Sequence, residues 1–317
     1  MKKTKTWLGI DFGGTNVKLG FVNSSGTVLS QSTFPTASTP TRTAWLDKIE
    51  DSVNRLLPEN HILAGVGAGV PGFTDFDRGF IYNLTNVPGW RSVPMAELLT
   101  KRLGVPAIVD NDANVMALGE CTFGAGNRYK HAVFVTLGTG VGGGLLINGE
   151  IYRGAFSMGG ELGHISIMMD GNRTAEGIGG LETYVGNRQI TEKAQAELAK
   201  GRESLITRLS DGDPEKITPK IISDAAHQND SLAIEIFEYV ADCLATAFAS
   251  MTYVLQPEVF IIGGGVAKSG KVLFDPLRQN LKNRLSPFFA RRIKVIRAKL
   301  GERAGVTGAA ALAMKHC

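Results

Sequence analysis

The chain has 317 residues, of which 43% are hydrophobic and 20% are charged, and its formal net charge is +4. This length predicts two lobes, and the composition is typical of a soluble globular protein. Because no long basic run is visible, we expect no nucleic-acid partner. We also expect no signal peptide and no membrane span, since the apolar runs are too short for either.

The three cysteines, Cys121, Cys243 and Cys317, are far apart and form no CxxC pair. This spacing favours reduced thiols over disulfides or a thiol-rich metal site. The sequence therefore predicts a cytoplasmic protein.

The first half of the chain is predicted to alternate strands and helices. A β-hairpin over residues 7–22 is followed by a strand in VLSQSTFPTAS and an amphipathic helix over 42–57. A buried strand over 62–70 leads into a loop that contains Asn83 and Asn86. The segments MAELLTKRL, VPAIVD and NDANVMALGE then read as helix, strand and helix.

The second half begins with another predicted hairpin, over residues 132–147, and a loop-like span over 150–188. Helices are expected at about 189–209, 217–228 and 230–255. A strand over 258–265, a helix, the strand IKVIRA and the small-residue helix AGVTGAAALAMK complete the chain. The pattern predicts an α/β protein with a mixed sheet in each lobe.

We place the boundary between the lobes within residues 113–130. Residues 1–115 are expected to form the N-terminal lobe and residues 116–300 the C-terminal lobe. Residues 301–317 are expected to form a helix that returns to the N-terminal lobe.

The two hairpins share one pattern, an apolar run, a tight Gly/Thr turn and a second apolar run, in WLGIDFGGTNVKLGFV and AVFVTLGTGVGGGLLI. Glycine accepts positive φ without steric cost, which favours such turns. The duplication predicts two turns that face one another across a cleft. Backbone N–H groups in such turns suit the phosphates of a nucleotide, and this arrangement indicates a phosphotransferase.

Asp11 closes a predicted hydrophobic strand and precedes Gly13, Gly14 and Thr15. A carboxylate beside backbone amides and a hydroxyl suits Mg²⁺ and phosphate, although Asp-Gly turns are also common in plain hairpins. The matching turn at Gly138, Thr139 and Gly140 favours the functional interpretation.

A third glycine turn, including Gly264 and Gly265, follows the strand EVFII. It fits either a nucleotide site or a tight strand–helix connection. The sequence contains no GxxxxGK[ST] motif, and the first turn leads into a strand rather than a helix, so neither a P-loop nor a Rossmann fingerprint is present.

Asp112 is the candidate catalytic residue, because it follows a strand and begins a predicted helix beside Asp110 and Asn111. A carboxylate there can accept the proton of an attacking hydroxyl. The alternative is helix capping by Asn111 or Asp112, which accounts for one of the three side chains.

Glu161, His164 and Glu182 lie in the loop-like span among small residues. Such acceptors suit the hydroxyl groups of a sugar, and they equally suit solvated loop charge. The residues alone leave both interpretations open.

Five segments together resemble the ROK family of bacterial sugar kinases and sugar-responsive repressors, and they occur in that family's order: DFGGT, VDNDANVMALGE, LGTGVGGGL, GGELGH and IIGGG. The resemblance runs nearly end to end. It implies the two-lobed, ribonuclease H-like fold of the hexokinase and actin-like ATPase superfamily, with a cleft between the lobes.

The resemblance also implies a role for each candidate residue. Asp112 would be the general base for the 6-hydroxyl of a hexose, and Asp11 would hold the Mg²⁺ of ATP, through water. The phosphates would contact Asp11, Gly13, Gly14, Thr15, Gly138, Thr139 and Gly140, and the adenosine would lie near Gly264 and Gly265. The sugar would contact Asn86, Asn111, Asp112, Glu161, His164 and Glu182.

One departure concerns zinc. Many family members follow the ExGH motif with a CxCGxxGCxE segment that holds a structural zinc ion, whereas this chain has ISIMMDGNRTAEGIGGLE. A thiolate-rich site cannot form without thiols. We therefore expect no zinc site, and a loop that is held by packing or hydrogen bonds instead.

The resemblance implies an ATP-dependent hexose kinase, with glucose as the leading substrate, and a homodimer. Another sugar (N-acetylmannosamine, mannose, fructose or allose) and a polyphosphate donor remain open. A non-catalytic sugar sensor is the alternative from another class, and a structural actin-like ATPase would leave the sugar loop without a purpose. The repressors carry a helix-turn-helix domain before the first glycine turn, and here that strand begins by residue 7, which favours an enzyme.

Overall fold

The computed structural model describes residues 3–84 and 87–317. The chain divides into two compact units. Unit 1 comprises residues 1–130, 144–160 and 298–317, and unit 2 comprises residues 131–143 and 161–297. Within the described ranges, no helix combines the length and apolar character that crossing a membrane requires.

The strands are, in chain order, β1 (Thr4–Phe12), β2 (Asn16–Val22), β3 (Val28–Pro35), β4 (His61–Val70), β5 (Gly72–Asp75), β6 (Phe80–Leu84), β7 (Arg91–Val93), β8 (Ala107–Asn111), β9 (Ala132–Leu137), β10 (Val141–Ile147), β11 (Glu150–Tyr152), β12 (Arg173–Thr174), β13 (Gly177–Ile178), β14 (Val259–Gly264) and β15 (Lys294–Arg297). The helices are α1 (Arg42–Leu56), α2 (Met95–Leu103), α3 (Asp112–Phe123), α4 (Glu182–Val185), α5 (Asn187–Ala199), α6 (Leu205–Leu209), α7 (Pro219–Ala226), α8 (Ser231–Leu255), α9 (Lys271–Arg284), α10 (Pro287–Ala290) and α11 (Ala304–His316).

Unit 1 is built on a five-stranded mixed sheet with the order β3-β2-β1-β4-β8. The pairs β1–β2 and β2–β3 are antiparallel, whereas β1–β4 and β4–β8 are parallel. Because the carboxyl ends of parallel strands meet at one edge, β1, β4 and β8 bring their C-terminal residues to the same edge of the sheet.

Helix α11 packs directly on this sheet because the strands there carry glycine. A Cβ atom on Gly9 of β1 or on Gly67 of β4 would overlap the backbone carbonyls of Val306 and Ala309, respectively. On the opposite face of β1, Phe12 stacks on Trp45 of α1 with ring centroids 5.0 Å apart. Alternation along the strand thus gives the sheet one glycine face and one aromatic face.

Unit 2 contains three parallel strands, in which β14 pairs with β9 on one side and with β15 on the other. The 25-residue helix α8 is capped at its start by Asp230, and Gln256 adopts the left-handed conformation at its end. Phe248 of α8 stacks on Phe260 of β14 with centroids 4.2 Å apart, which fixes the helix on the sheet.

Three local predictions were wrong. The predicted loop after residue 71 contains the antiparallel sheet β5-β6-β7, so Asn83 lies in a strand. The single helix predicted over 189–209 is two helices, because Gly201 adopts a φ of +84° between them. The span 150–188 also contains β11, the β12–β13 hairpin and α4.

Candidate active site

Two carboxylates lie in one row at the C-terminal edge of the sheet of unit 1. Asp11 of β1 and Asp110 of β8 both pair in register with Gly69 of β4, one from each side. Strands in a sheet lie about 4.8 Å apart, which places the two backbones about 10 Å from each other. Asp112 follows two residues later as the first residue of α3.

Asp11 is largely buried, and this burial raises the pKa of its carboxyl group, while the nearby Lys18 lowers it. The carboxylate faces the first turn of α11, where a Cβ on Gly305 would lie 2.5 Å from Asp11 Cγ. The N-terminus of a helix carries partial positive charge. A bound cation would supply the further neutralisation that a buried carboxylate requires, so this residue fits Mg²⁺.

The structure resolves the question of which residue caps α3. The Oδ1 atom of Asn111 accepts hydrogen bonds from the backbone N–H groups of Ala113 (2.9 Å) and Asn114 (3.3 Å), so Asn111 is the cap. Its Nδ2 donates to Gly72 O at 3.3 Å. Asp112 is therefore inside the helix, where its Oδ1 accepts from Ala113 N at 2.8 Å.

Sequence reasoning missed the partner of Asp110. The Asp110 carboxylate is buried and forms an ion pair with Arg153, which lies just after β11 in the same unit. No local pattern could reveal this pair, since 43 residues separate its members. It lies beside the first turn of α3, which carries Asp112.

The first glycine turn is closed by a hydrogen bond from Gly13 N to Asn16 O (2.9 Å). The side chain of Thr36 adds a hydrogen bond to Gly13 O (2.7 Å), and Thr36 N donates to Thr15 O (2.9 Å). Gly13 and Gly14 are not among the glycines with positive φ. The expectation that conformational freedom explains these glycines was wrong here; at Gly13 a Cβ would instead approach Asn16 O to 2.9 Å.

The second turn, at Gly138, Thr139 and Gly140 in unit 2, is likewise free of positive φ. Gly138 N donates to Gly140 O (3.0 Å). The space where a Cβ of Gly138 would stand is open, whereas a Cβ on Gly140 would overlap Glu182 Oε2. Glycine at position 140 thus allows the Glu182 carboxylate to approach closely, whereas glycine at position 138 leaves an open space.

Glu182 is bound to this second turn. Its Oε2 accepts a hydrogen bond from Val141 N at 2.9 Å, so the carboxylate is positioned by the backbone that follows Gly140. The residue begins α4 and is predicted to contact the sugar. The structure therefore places a predicted sugar-binding residue and a predicted phosphate-binding turn side by side within unit 2.

Glu161 and His164 lie on a short 3₁₀ turn of unit 2, with Glu161 Oε2 and His164 Nε2 4.0 Å apart. Their side chains are 42% and 38% exposed. Desolvation raises the pKa of Glu161. The nearby His164 lowers this pKa, and the carboxylates of Glu176 and Glu182 raise it further. Glu176, which sequence reasoning missed, lines a cavity of about 70 Å³ with His164 and Glu182.

The third turn lies beside a larger cavity. Gly264 has a φ of +85°, and a Cβ there would overlap Leu137 O, so this position requires glycine. Gly265 borders a cavity of about 360 Å³ that Asn187, Thr218 and Ser269 also line. The Oδ1 atom of Asn187 is buried and has no hydrogen-bond partner among the described residues.

Asn86, the remaining predicted sugar ligand, lies outside the described residues. The other candidate residues fall into two groups by unit. Unit 1 holds Asp11, Gly13, Gly14, Thr15, Asn111 and Asp112, and unit 2 holds Gly138, Thr139, Gly140, Glu161, His164, Glu182, Gly264 and Gly265.

The loop that replaces the zinc segment is held by hydrogen bonds. Ile167 N donates to Gly179 O (2.9 Å), and Gly179 N donates to Asn172 O (2.8 Å). Asn172 N donates to the hydroxyl of Tyr184 (2.9 Å), which ties the loop to α4. In the part of the chain that the structure describes, no group of three or more His, Cys, Asp or Glu side chains could hold a metal ion. The absence of zinc stays a prediction.

The sequence matches the ROK family model over residues 7–316. The chain belongs to the ROK family. It is 35% identical to the glucokinase of Halalkalibacterium halodurans, over 95% of this chain and 93% of that protein. It is also 35% identical to the glucokinase of Thermotoga maritima, over 96% of both.

Among solved structures, the chain resembles a ROK family glucokinase from Streptomyces griseus in complex with glucose and AMPPNP. The TM-score is 0.82 at 33% identity, with 98% of this chain and 99% of that chain covered. The predicted α/β fold of the actin-like ATPases is thereby confirmed. As a member of the ROK family, the protein also carries the expected motifs in the expected order.

Proposed function

We propose that this ROK family member is an ATP-dependent sugar kinase that transfers the γ-phosphoryl group to the 6-hydroxyl of a hexose, with glucose as its preferred substrate. The observation that carries the proposal is the 35% identity to two glucokinases over nearly the whole chain. A relative at 33% identity was crystallised with glucose and AMPPNP, which supports both substrate classes.

Asp112 acts as the general base. It lies at the carboxyl end of a parallel strand, in the first turn of a helix whose cap is Asn111, so capping does not require its carboxylate. A base in this position accepts the proton of the hexose hydroxyl as that oxygen attacks phosphorus. The remaining sugar hydroxyls are held by Glu161, His164 and Asn86, by Glu182 beside the second turn, and by the Asn111 amide.

ATP binds through backbone N–H groups and through Mg²⁺. In unit 1, Asp11, Gly13, Gly14 and Thr15 contact the phosphates, and Asp11 would also hold Mg²⁺ through water; in unit 2, Gly138, Thr139 and Gly140 contact the phosphates. When bound, Mg²⁺ would supply neutralisation of the charge on the phosphoryl oxygens, and Asp11 is the carboxylate that would hold it.

The adenosine lies in the cavity beside Gly265. A nucleobase needs an apolar slot with a few polar groups, and this cavity of about 360 Å³ is of suitable size. The orphaned Asn187 Oδ1 supplies a buried acceptor for an exocyclic amine. Such an amine would satisfy an acceptor that is otherwise costly to bury.

A coupled ADP-release assay with Mg²⁺-ATP tests the proposal across glucose, mannose, fructose, allose and N-acetylhexosamines. We expect glucose to give the highest kcat/KM. Turnover confined to another sugar would contradict the preference for glucose but would leave the proposed mechanism unaffected. Turnover with polyphosphate and not with ATP would contradict the donor, and no turnover at all would favour a non-catalytic sensor.

We also propose that the protein forms a homodimer, as the resemblance to the family implies. Light scattering coupled to size-exclusion chromatography measures its mass directly. A mass near twice the 33.9 kDa of the chain is expected, and a monomer mass would contradict this proposal.

A further inference from the structure

The carboxylate of Asp110 is only 1% exposed, and both of its oxygens accept hydrogen bonds. Oδ2 accepts from Arg153 Nε (2.9 Å) and Nη2 (2.7 Å). Oδ1 accepts from Asn111 N (2.8 Å) and from Asn114 Nδ2 (3.2 Å). A buried charge is costly unless it is paired in this way, so Asp110 depends on Arg153.

Arg153 is itself held in one orientation. Its Nη1 donates to Ile151 O (3.2 Å), and its guanidinium carbon lies 3.4 Å from the centre of the Phe76 ring. The rings of His316 and Phe76 form an edge-to-face pair, with centroids 5.4 Å apart. Planar stacking and paired N–H donors restrict a guanidinium in a way that a lysine ammonium cannot reproduce.

The hydrogen bonds of Asp110 reach both sides of Asp112. Asn111 precedes Asp112, and the side chain of Asn114 lies within the same first helical turn. The two residues that Asp110 holds therefore flank the carboxylate that we assign as the base. Fixing both restricts the direction in which the Asp112 side chain leaves α3.

We propose that Arg153 is a positioning residue for the general base and acts through Asp110. This inference rests on the proposed kinase function and adds a residue to it. Arg153 need not touch the sugar or ATP. Its effect is to keep Asp112 in line with the hydroxyl, and a misplacement of about 1 Å can cost about 100-fold in rate.

A purely structural ion pair is the alternative, and a double variant distinguishes the two. Arg153→Met leaves a buried carboxylate unpaired, and Asp110→Asn leaves a guanidinium that is only 16% exposed without its carboxylate, so each single change is expected to lower the melting temperature. The combination Arg153→Met with Asp110→Asn removes both charges. An asparagine at 110 can still accept from Asn111 N, so the double variant should regain much of the lost stability.

The experiment measures melting temperature, glucose dissociation constant, kcat and KM for the wild type, both single variants, the double variant and Arg153→Lys. In the double variant we expect kcat to stay about 10- to 100-fold below the wild type while glucose affinity changes by less than about threefold. We expect Arg153→Lys to have a higher kcat than Arg153→Met and a lower kcat than the wild type. Recovery of kcat together with stability in the double variant would overturn the inference.

Arg102→Met is the matched control, because Arg102 is also an arginine of unit 1 that forms ion pairs, in this case with the two carboxylates of Asp47 and Glu50. The Asp47 and Glu50 side chains are 53% and 40% exposed, and we expect kcat to be unchanged. A loss in this control equal to that in the double variant would also overturn the inference. Wild-type protein that turns over no hexose would contradict the proposed function, whereas an active wild type with an unaffected double variant would contradict only the role of Arg153.

Discussion

Asp110 in unit 1 lies beside the candidate general base, and Glu161 in unit 2 is a candidate sugar ligand, yet the protein holds these two carboxylates differently. Asp110 is 1% exposed, and both of its oxygens accept hydrogen bonds from protein groups. Glu161 is 42% exposed, and the ring of His164 lies 4.0 Å away, beyond hydrogen-bond distance.

This difference fits the two proposed tasks, which are general-base catalysis by Asp112 and sugar binding by Glu161. A general base must accept one proton from one direction, so neighbours that fix its orientation favour catalysis. Groups that bind a sugar exchange water for hydroxyl groups, so they need exposed oxygens before the ligand arrives. We therefore expect changes near Asp112 to act mainly on kcat and changes at Glu161 to act mainly on KM.

The largest effect is expected from Asp112→Asn. Loss of the base should lower kcat by about 10³-fold, within the usual contribution of general-base catalysis, while glucose still binds. Steady-state kinetics and calorimetric glucose binding measure the two quantities. Asp51→Asn, at an exposed position on α1, is the control and should behave as the wild type. Near-normal turnover in Asp112→Asn would contradict the assignment.

Gly264→Ala should have the next largest effect, this time on stability. The position combines a φ of +85° with contact against Leu137 O, so alanine should lower the free energy of unfolding by about 2 kcal/mol or more. The neighbouring Gly265→Ala, which points into open space, should change it by less than about 0.5 kcal/mol. Equal effects in denaturant titrations would contradict this interpretation.

Gly140→Ala should weaken sugar binding by displacing Glu182. The new methyl group displaces the carboxylate from its hydrogen bond with Val141 N, and we expect KM for glucose to rise about tenfold. Gly138→Ala, where a methyl group meets open space, leaves Glu182 in place and should leave the KM for glucose unchanged. A rise in the glucose KM for both variants would show that Glu182 is not the cause.

The pH dependence of sugar binding should follow Glu161. Desolvation raises the pKa of Glu161, and the ionised form is the better acceptor for sugar hydroxyls. The KM for glucose should therefore rise as pH falls through this raised pKa, starting at a higher pH than an ordinary glutamate would allow. In Glu161→Gln the KM should be raised throughout and lose most of this dependence; an unchanged profile would contradict the role.

The smallest effect is expected in the stability of Asp11→Asn. Burial raises the pKa of Asp11, so the folded state binds more protons than the unfolded state between the two pKa values. Stability then falls as pH rises through that window, and the asparagine variant avoids this loss. Melting curves should show the variant slightly more stable at neutral pH, with the advantage gone near about pH 3, below the unfolded pKa. A less stable variant at neutral pH would contradict the sign.

Much of the fold could be predicted from the sequence, because the local signals in those segments agree with one another. The glycine turns, the period of α1 and the cap at Asn111 or Asp112 each predict an element that the structure contains. The sheet β5-β6-β7 was not accessible, since its strands have three to five residues and turn-forming residues lie between them.

The candidate site likewise contains residues that the sequence could predict and residues that it could not. Asp11 and Asp112 could be selected because Asp11 lies near the end of a strand and Asp112 begins a helix, each within a recognisable motif. Arg153 and Asn187 could not, since their importance comes from partners or a cavity that only the folded chain brings near. Nor could the sequence reveal that Glu182 is bound to Val141, 41 residues earlier.

Hydrogen exchange with and without glucose tests most directly the claim that the base is held in advance and the sugar loop is completed by its ligand. Peptides that cover residues 107–116 should be strongly protected in the free protein and gain little. Peptides that cover residues 161–182 should exchange faster and gain protection when glucose binds. Weak protection around Asp112 in the free protein, increased by glucose while the 161–182 loop stays unchanged, would contradict the claim.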